Sequence, residues 1–269
     1  MQQDAAGGHA YVLLCAYHKF GDPRYLEHCK SALEALISQK ESRFYEALLP
    51  LGVYVAAYLN ATEGTNYNVS KLFDWVFDGC QSSSGRTGWG IIVGKWGDYD
   101  VSGLQGSITD GGGYAFLMNS IKPAWPFIPL VKYQPEYAKA IGKWMLNNSS
   151  ACRLFYPGDI DEKHQWAPEL KNITNNNVSY EGLRKADDYG KESLKGVSPV
   201  AIGDGPKWIE GNPAESMFSV YSSSPVGILG AIITKTDVEG ILQLDCNATD
   251  FYVDKPYPVY LYYNPYKAV

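Results

Sequence analysis

The chain has 269 residues, a formal net charge of −6, 45% hydrophobic residues and 19% charged ones. That balance excludes a disordered chain, and no apolar run approaches the roughly 20 residues that span a bilayer. The acidic total, without a Lys/Arg cluster, argues against nucleic-acid and membrane partners. The outlier is aromatic: 21 Tyr, 7 Trp and 9 Phe make up 14% of the sequence. Tyr and Trp carry a flat apolar face and a polar edge, so they gather either in a tyrosine-rich core or where a protein meets amphipathic ligands such as sugars.

The first half is dominated by helical periodicity. Residues 5–20 place Tyr11, Leu14, Cys15 and His18 on one stripe. Gly21-Asp22-Pro23 stops that helix and starts the next, with Asp22 as N-cap and Pro23 at the first helical position. The second helix, 23–39, carries Tyr25, His28, Cys29, Ala32, Leu33 and Leu36 on its apolar face. Further helices are predicted over about 44–60, 68–79, 111–121 (opened by Asp110) and 135–147. The first, third and fifth are apolar nearly all round and the second, fourth and sixth are amphipathic, as for alternating inner and outer helices. Asp4-Ala-Ala-Gly-Gly-His-Ala-Tyr and Asp110-Gly-Gly-Gly-Tyr-Ala-Phe form a weak internal echo.

Two long segments, 81–109 and 150–215, are rich in Gly, Trp, Asn and Asp and read as functional loops, with a short helix near 180–186. Another helix is predicted over about 224–233. Beyond Asp237 the pattern becomes strand-like at 240–246 and 258–264. The organisation read from this is a helical-hairpin domain over 1–236 and a β-strand tail over 237–269.

The five cysteines, Cys15, Cys29, Cys80, Cys152 and Cys246, show no metal-ligand spacing, so no metal site is expected. The N-terminus has no basic n-region or cleavage site and is not a signal peptide. It begins almost inside a helix, which fits a piece of a longer chain or an oligomer that completes the array. Asn60, Asn68, Asn147, Asn148, Asn172, Asn177 and Asn247 all lie in N-x-[ST] sequons. They read as an exported chain (secreted, periplasmic or at the cell surface) or as Asn- and Ser-rich loops.

Hairpins such as AYHKFGDPRYLEHCKSAL and the aromatic segment GWGIIVGKWGDYD resemble the six-hairpin (α/α)-toroid glycosidases and polysaccharide lyases. The resemblance implies a mainly α chain of antiparallel helical hairpins around a common axis and a short β-rich C-terminal region that begins a β-sandwich. Six hairpins need twelve helices, whereas the residues outside the long loops and the tail suffice for about eight, so an incomplete toroid is expected. The resemblance also implies a ligand site where inner-helix ends meet the long loops, and a carbohydrate substrate.

Glycosidic cleavage needs two carboxyl groups facing each other across the bond. Asp98, Asp100, Asp110 and Glu181 are the candidates, with Trp89, Trp96, Tyr99, Tyr156, His164, Trp166 and Trp208 as substrate-binding residues. Each carboxylate also has a plainer role: Asp110 as a helix N-cap, Asp98 and Asp100 as turn formers, Glu181 in a first helical turn. β-Elimination on uronates is the alternative, with Tyr156 or His164 as base and Arg153 neutralising the uronate. A third reading is a non-catalytic glycan-binding module. No nucleotide, metalloprotease or serine-hydrolase motif occurs, and no cofactor is expected.

Overall fold

The computed structural model describes residues 4–42, 44, 47–78, 89–108, 113–170, 178, 180–186, 191–203, 224–250 and 256–267. The chain opens with four helices: α1 (Ala5–Phe20), α2 (Pro23–Ile37), α3 (Leu48–Thr62) and α4 (Val69–Phe77). The α1–α2 junction forms as its residues dictate. Gly21 adopts the left-handed conformation, φ 70°, and donates to the Tyr17 carbonyl, while the Asp22 carboxylate accepts from the Arg24 amide at 2.9 Å. Cys29, Leu33 and Leu36 make the buried stripe of α2. Helix α3, apolar nearly all round, is buried from Leu49 to Leu59 except at Leu51. It lies directly against α1, where Gly7 and Gly52 meet: a Cβ on Gly7 would stand 2.5 Å from the Leu48 carbonyl oxygen.

Beyond α4 the chain leaves the helical pattern. Strands β1 (Trp89–Ile91), β4 (Gln105–Ser107), β5 (Tyr114–Phe116), β6 (Gly182–Arg184) and β7 (Val200–Ile202) form a five-stranded antiparallel sheet in the order β1-β4-β5-β6-β7. Between β1 and β4 stands a two-stranded ribbon, β2 (Lys95–Trp96) with β3 (Tyr99–Asp100). Helices α5 (Leu117–Ile121), α6 (Ala124–Leu130) and α7 (Ala138–Ala151) follow β5 in sequence. Helix α8 (Val226–Ile232) runs directly into β8 (Ile233–Lys235), which with β9 (Leu242–Asp245) and β10 (Tyr260–Tyr262) makes a three-stranded antiparallel sheet in the order β10-β9-β8.

This architecture overturns the expected mainly α, six-hairpin toroid and the resemblance on which it rested. Among the described residues about half are helical, and the fold is mixed, with three antiparallel sheets and no evident toroid of helical hairpins. The error has a local origin. Residues 89–116 hold short apolar and aromatic runs among glycines, which periodicity cannot assign, and pairing across the sheet makes them strands. Tyr114-Ala-Phe, expected inside a helix, is the central strand β5, and only Leu117–Ile121 continues as helix. The short helix expected at 180–186 is likewise strand β6.

The sheet divides the interior. Register places Trp89, Ile91, Gln105, Ser107, Tyr114, Phe116 and Arg184 on one face and Ala115, Leu183 and Ala201 on the other. The first face meets the helical core, which includes Leu14, Leu33, Tyr54, Phe127 and Trp144. The second covers a smaller core with Trp96, Leu104, Phe155 and Tyr180. Much of the aromatic excess is therefore ordinary interior: Tyr54, Tyr180, Phe127 and Phe155 are among the largest fully buried side chains.

Several sequon asparagines have structural work. Asn148 is buried and donates to the Gly103 and Ser120 carbonyls, Asn68 caps α4, and Asn60 ties down the backbone at Tyr67. Among the described residues no helix is long and apolar enough to cross a membrane.

Candidate functional site

Adjacent strands bring Trp89, Ser107, Tyr114 and Arg184 into one row across four strands, with Ile91, Gln105 and Phe116 beside it on the same face. Tyr114 is the hub. Its ring lies over the backbone of Gly182, where a Cβ would collide with it, and the Arg184 guanidinium sits 4.2 Å from the ring centroid. Its hydroxyl donates to Glu181 Oε1 at 3.4 Å. Phe116 stacks beside Tyr114 and meets the edge of Trp89. Glu181 is 2% exposed, whereas Tyr114 and Arg184 are half-buried and form the open side of the stripe.

Gln105 is the unusual member. It is fully buried, and neither its amide nitrogen nor its amide oxygen has a hydrogen-bond partner among the described residues. Its backbone is held on both sides, since its N–H donates to Ser120 Oγ at 2.9 Å and its carbonyl accepts from the same hydroxyl at 3.3 Å. A buried amide left unpaired costs about 1–3 kcal/mol per group, so the position favours anything that can both donate to it and accept from it.

The sequence-predicted site residues fall on both sides of the sheet. Trp89 and Glu181 belong to the stripe. Trp96, Tyr99, Tyr156, His164 and Trp166 lie on the other side, in or around the smaller core. There His164 is buried, with Nδ1 2.6 Å from the Pro199 carbonyl, which it reaches as a donor, and its ring meets Tyr99 edge-on. Tyr99 in turn accepts from the Asp161 amide. Trp166 carries the Lys191 ammonium over its ring at 4.7 Å. Asp98 and Asp100 are exposed on the β2–β3 ribbon. Asp100 has the turn-forming role: the Ser102 hydroxyl, then the Ser102 amide, hold its carboxyl below the usual range. Asp110 and Trp208 lie outside the described residues. Of the expected carboxylates, the described ones thus place only Glu181 on the stripe. Of the residues proposed for elimination, Arg153 is exposed and paired with Asp159 at 2.6 Å, and His164 is buried.

Sequence reasoning missed Gln105, Ser107, Tyr114, Phe116 and Arg184. The available signal was a hairpin one: two short alternating runs flanking the glycine-rich sequence 108–113. It also missed a second buried polar group. The Asp250 carboxylate accepts from Tyr54 at 3.1 Å and Tyr133 at 2.5 Å and pairs with Lys132 at 2.6 Å. No group of three or more His, Cys, Asp or Glu able to hold a metal occurs among the described residues.

Burial has a pH consequence here. Desolvation pushes Tyr58 and Tyr180 up to about 12 from 10.0, and Cys29 and Cys246 up to about 12 from 9.0. Tyr133 is raised by burial first and by its hydrogen bond to Asp250 second. Raised folded-state values leave stability intact below the unfolded values, and it is lost as the unfolded chain releases protons that the folded chain retains. Denaturant titrations at fixed pH are expected to show stability level up to about pH 9 and falling steadily to about pH 12. Tyr133→Phe reduces that slope, and an unchanged slope would contradict the assignment.

Comparison with family models, curated proteins and solved structures finds no match to this chain.

Proposed function

We propose that the chain is a carbohydrate-active protein that takes a saccharide at the half-buried Tyr114–Arg184 end of the stripe, where side-chain movement uncovers the buried Gln105 amide to bond its hydroxyls. The observation that carries this reading is the buried Gln105 amide, which has no partner of its own among the described residues and lies on one sheet face with three aromatic rings. A sugar ring matches that surface: its apolar face stacks on Trp or Tyr, and each hydroxyl can both donate to and accept from an amide. A second reading, glycoside hydrolysis, is favoured by Glu181. Its carboxyl group is buried beside the Tyr114 hydroxyl, an environment suited to a general acid.

The test is a calorimetric titration with a panel of neutral and uronate oligosaccharides, alongside assays for released reducing ends and for the ultraviolet absorbance of unsaturated products. Gln105→Met is expected to lower oligosaccharide affinity at least tenfold while raising thermal stability, because an unpaired buried amide is replaced by an apolar group of similar size. An affinity unchanged by that substitution would remove the basis for the reading. Reducing ends without absorbance, abolished by Glu181→Gln with binding retained, would establish hydrolysis. Absorbance would place the reaction among eliminations, and binding without either signal is the behaviour of a glycan-binding module.

A further inference from the structure

The small β8–β9–β10 sheet has one face turned inward and one turned to solvent. Leu261 of β10 is buried in the helical core, and Tyr263 packs where a Cβ on Gly142 of α7 would stand 2.8 Å from its own Cβ. Alternation then turns Tyr260 and Tyr262 outward, 46% and 51% exposed. Register sets Asp245 opposite Tyr260, Gln243 opposite Tyr262 and Thr234 opposite Gln243, so one face carries two phenol rings bordered by an amide, a carboxylate and a hydroxyl. Tyr257, 90% exposed, stands just before β10. The platform is held firmly. Gln243 Nε2 donates to the Tyr262 hydroxyl, and Asn247 donates to the Tyr257 carbonyl at 2.8 Å while accepting from Lys132.

We propose that this face is a second saccharide-binding surface, distinct from the Gln105 stripe, that takes an extended neutral polysaccharide. Three strands about 4.8 Å apart and three to four residues long, at about 3.3 Å per residue, present on the order of 150 Å². That is far below the roughly 800 Å² per partner of a stable protein interface, yet it suits a short run of sugar rings. The row Thr234, Gln243, Asp245, Tyr260 and Tyr262 contains no lysine or arginine, so a phosphate or uronate polymer finds no countercharge on it. Exposed phenol faces beside hydrogen-bonding side chains are what a hydroxylated, uncharged ring requires. The ligand class rests on the saccharide reading above, but the two sites are tested separately.

The experiment is affinity electrophoresis of the full chain through gels containing xyloglucan, galactomannan or mixed-linkage β-glucan, with sedimentation to monitor mass. At least one polymer is expected to retard the wild type. Tyr260→Ala/Tyr262→Ala should weaken retardation at least tenfold and leave oligosaccharide affinity at the stripe unchanged, whereas Gln105→Met does the reverse. Both tyrosines are exposed, so the double variant should keep the wild-type melting temperature. Retardation equal to wild type in the double variant overturns the proposal, and so does a wild type that no polymer retards. A wild-type dimer that becomes a monomer on substitution also overturns it, by assigning the face to a second copy. Loss of oligosaccharide binding alone defeats the stripe and leaves this surface standing.

Discussion

Lys132→Met is expected to be among the most destabilising single substitutions in the molecule, costing about 3–5 kcal/mol. The Asp250 side chain is wholly buried, and its countercharge is the Lys132 ammonium 2.6 Å from Oδ2. Tyr54 on α3 and Tyr133 just beyond α6 donate to the two carboxylate oxygens, and Lys132 also reaches Asn247 at 2.8 Å. The group therefore ties α3 and the end of α6 to the segment that follows β9. Methionine preserves the stem of the lysine and removes the ammonium, leaving a buried carboxylate with two phenol donors and no cation paired with it among the described residues. For a chain of this size the melting temperature should fall by roughly 10 °C. Lys132→Met/Asp250→Asn tests the cause. With both charges gone the penalty should shrink, and a double variant no more stable than Lys132→Met alone would show that packing, not charge, is lost.

Gly106→Ala is expected to cost about 3 kcal/mol or more, at or beyond the upper end of the usual range for overpacking. Gly106 is the middle residue of β4, opposite Gly90 on one side and Ala115 on the other. A Cβ there would collide with the Tyr114 carbonyl and stand 3.1 Å from the Ala115 Cα, and both belong to backbone that no rotamer change can clear. Strands β4 and β5 would have to part, displacing Gln105 and Tyr114 with them, so saccharide affinity should fall together with stability. Gly230→Ala in α8 is the control, because nothing lies within 4 Å of its added methyl. It should be neutral or stabilising by up to about 1 kcal/mol. Urea midpoints of the two variants decide the matter, and equal values would refute the steric account.

The helical half was legible because its signals are local. Gly21-Asp22-Pro23 ends one helix and caps the next through bonds made within four residues. The apolar stripe of α2 and the all-round apolar character of α3 follow from spacing alone. Strands β9 and β10 also lie inside the segments whose β-branched and aromatic content predicted them. The central sheet was not legible. Its strands are three residues long, too short to display a period, and Tyr114-Ala-Phe satisfies a helical pattern as well as an extended one. Neighbouring β4 and β6 decide between them by supplying partners for its backbone.

The candidate site divides in the same way. Trp89 and Glu181 drew attention by residue type, but nothing along the chain shows that Trp89, Gln105, Tyr114 and Arg184 share a face, because that depends on three antiparallel registers. A one-residue slip in any of them would turn those side chains to the opposite core. Composition likewise suggested aromatic ligand contacts, while burial assigns many of the same rings to packing. By itself the sequence determined the first four helices and located the α1–α2 junction, since capping, glycine conformation and apolar spacing act over a few residues. Tertiary structure alone decided that the chain is mixed, and which polar groups lie buried together, because strand pairing and the enclosure of a side chain depend on residues far apart in the chain.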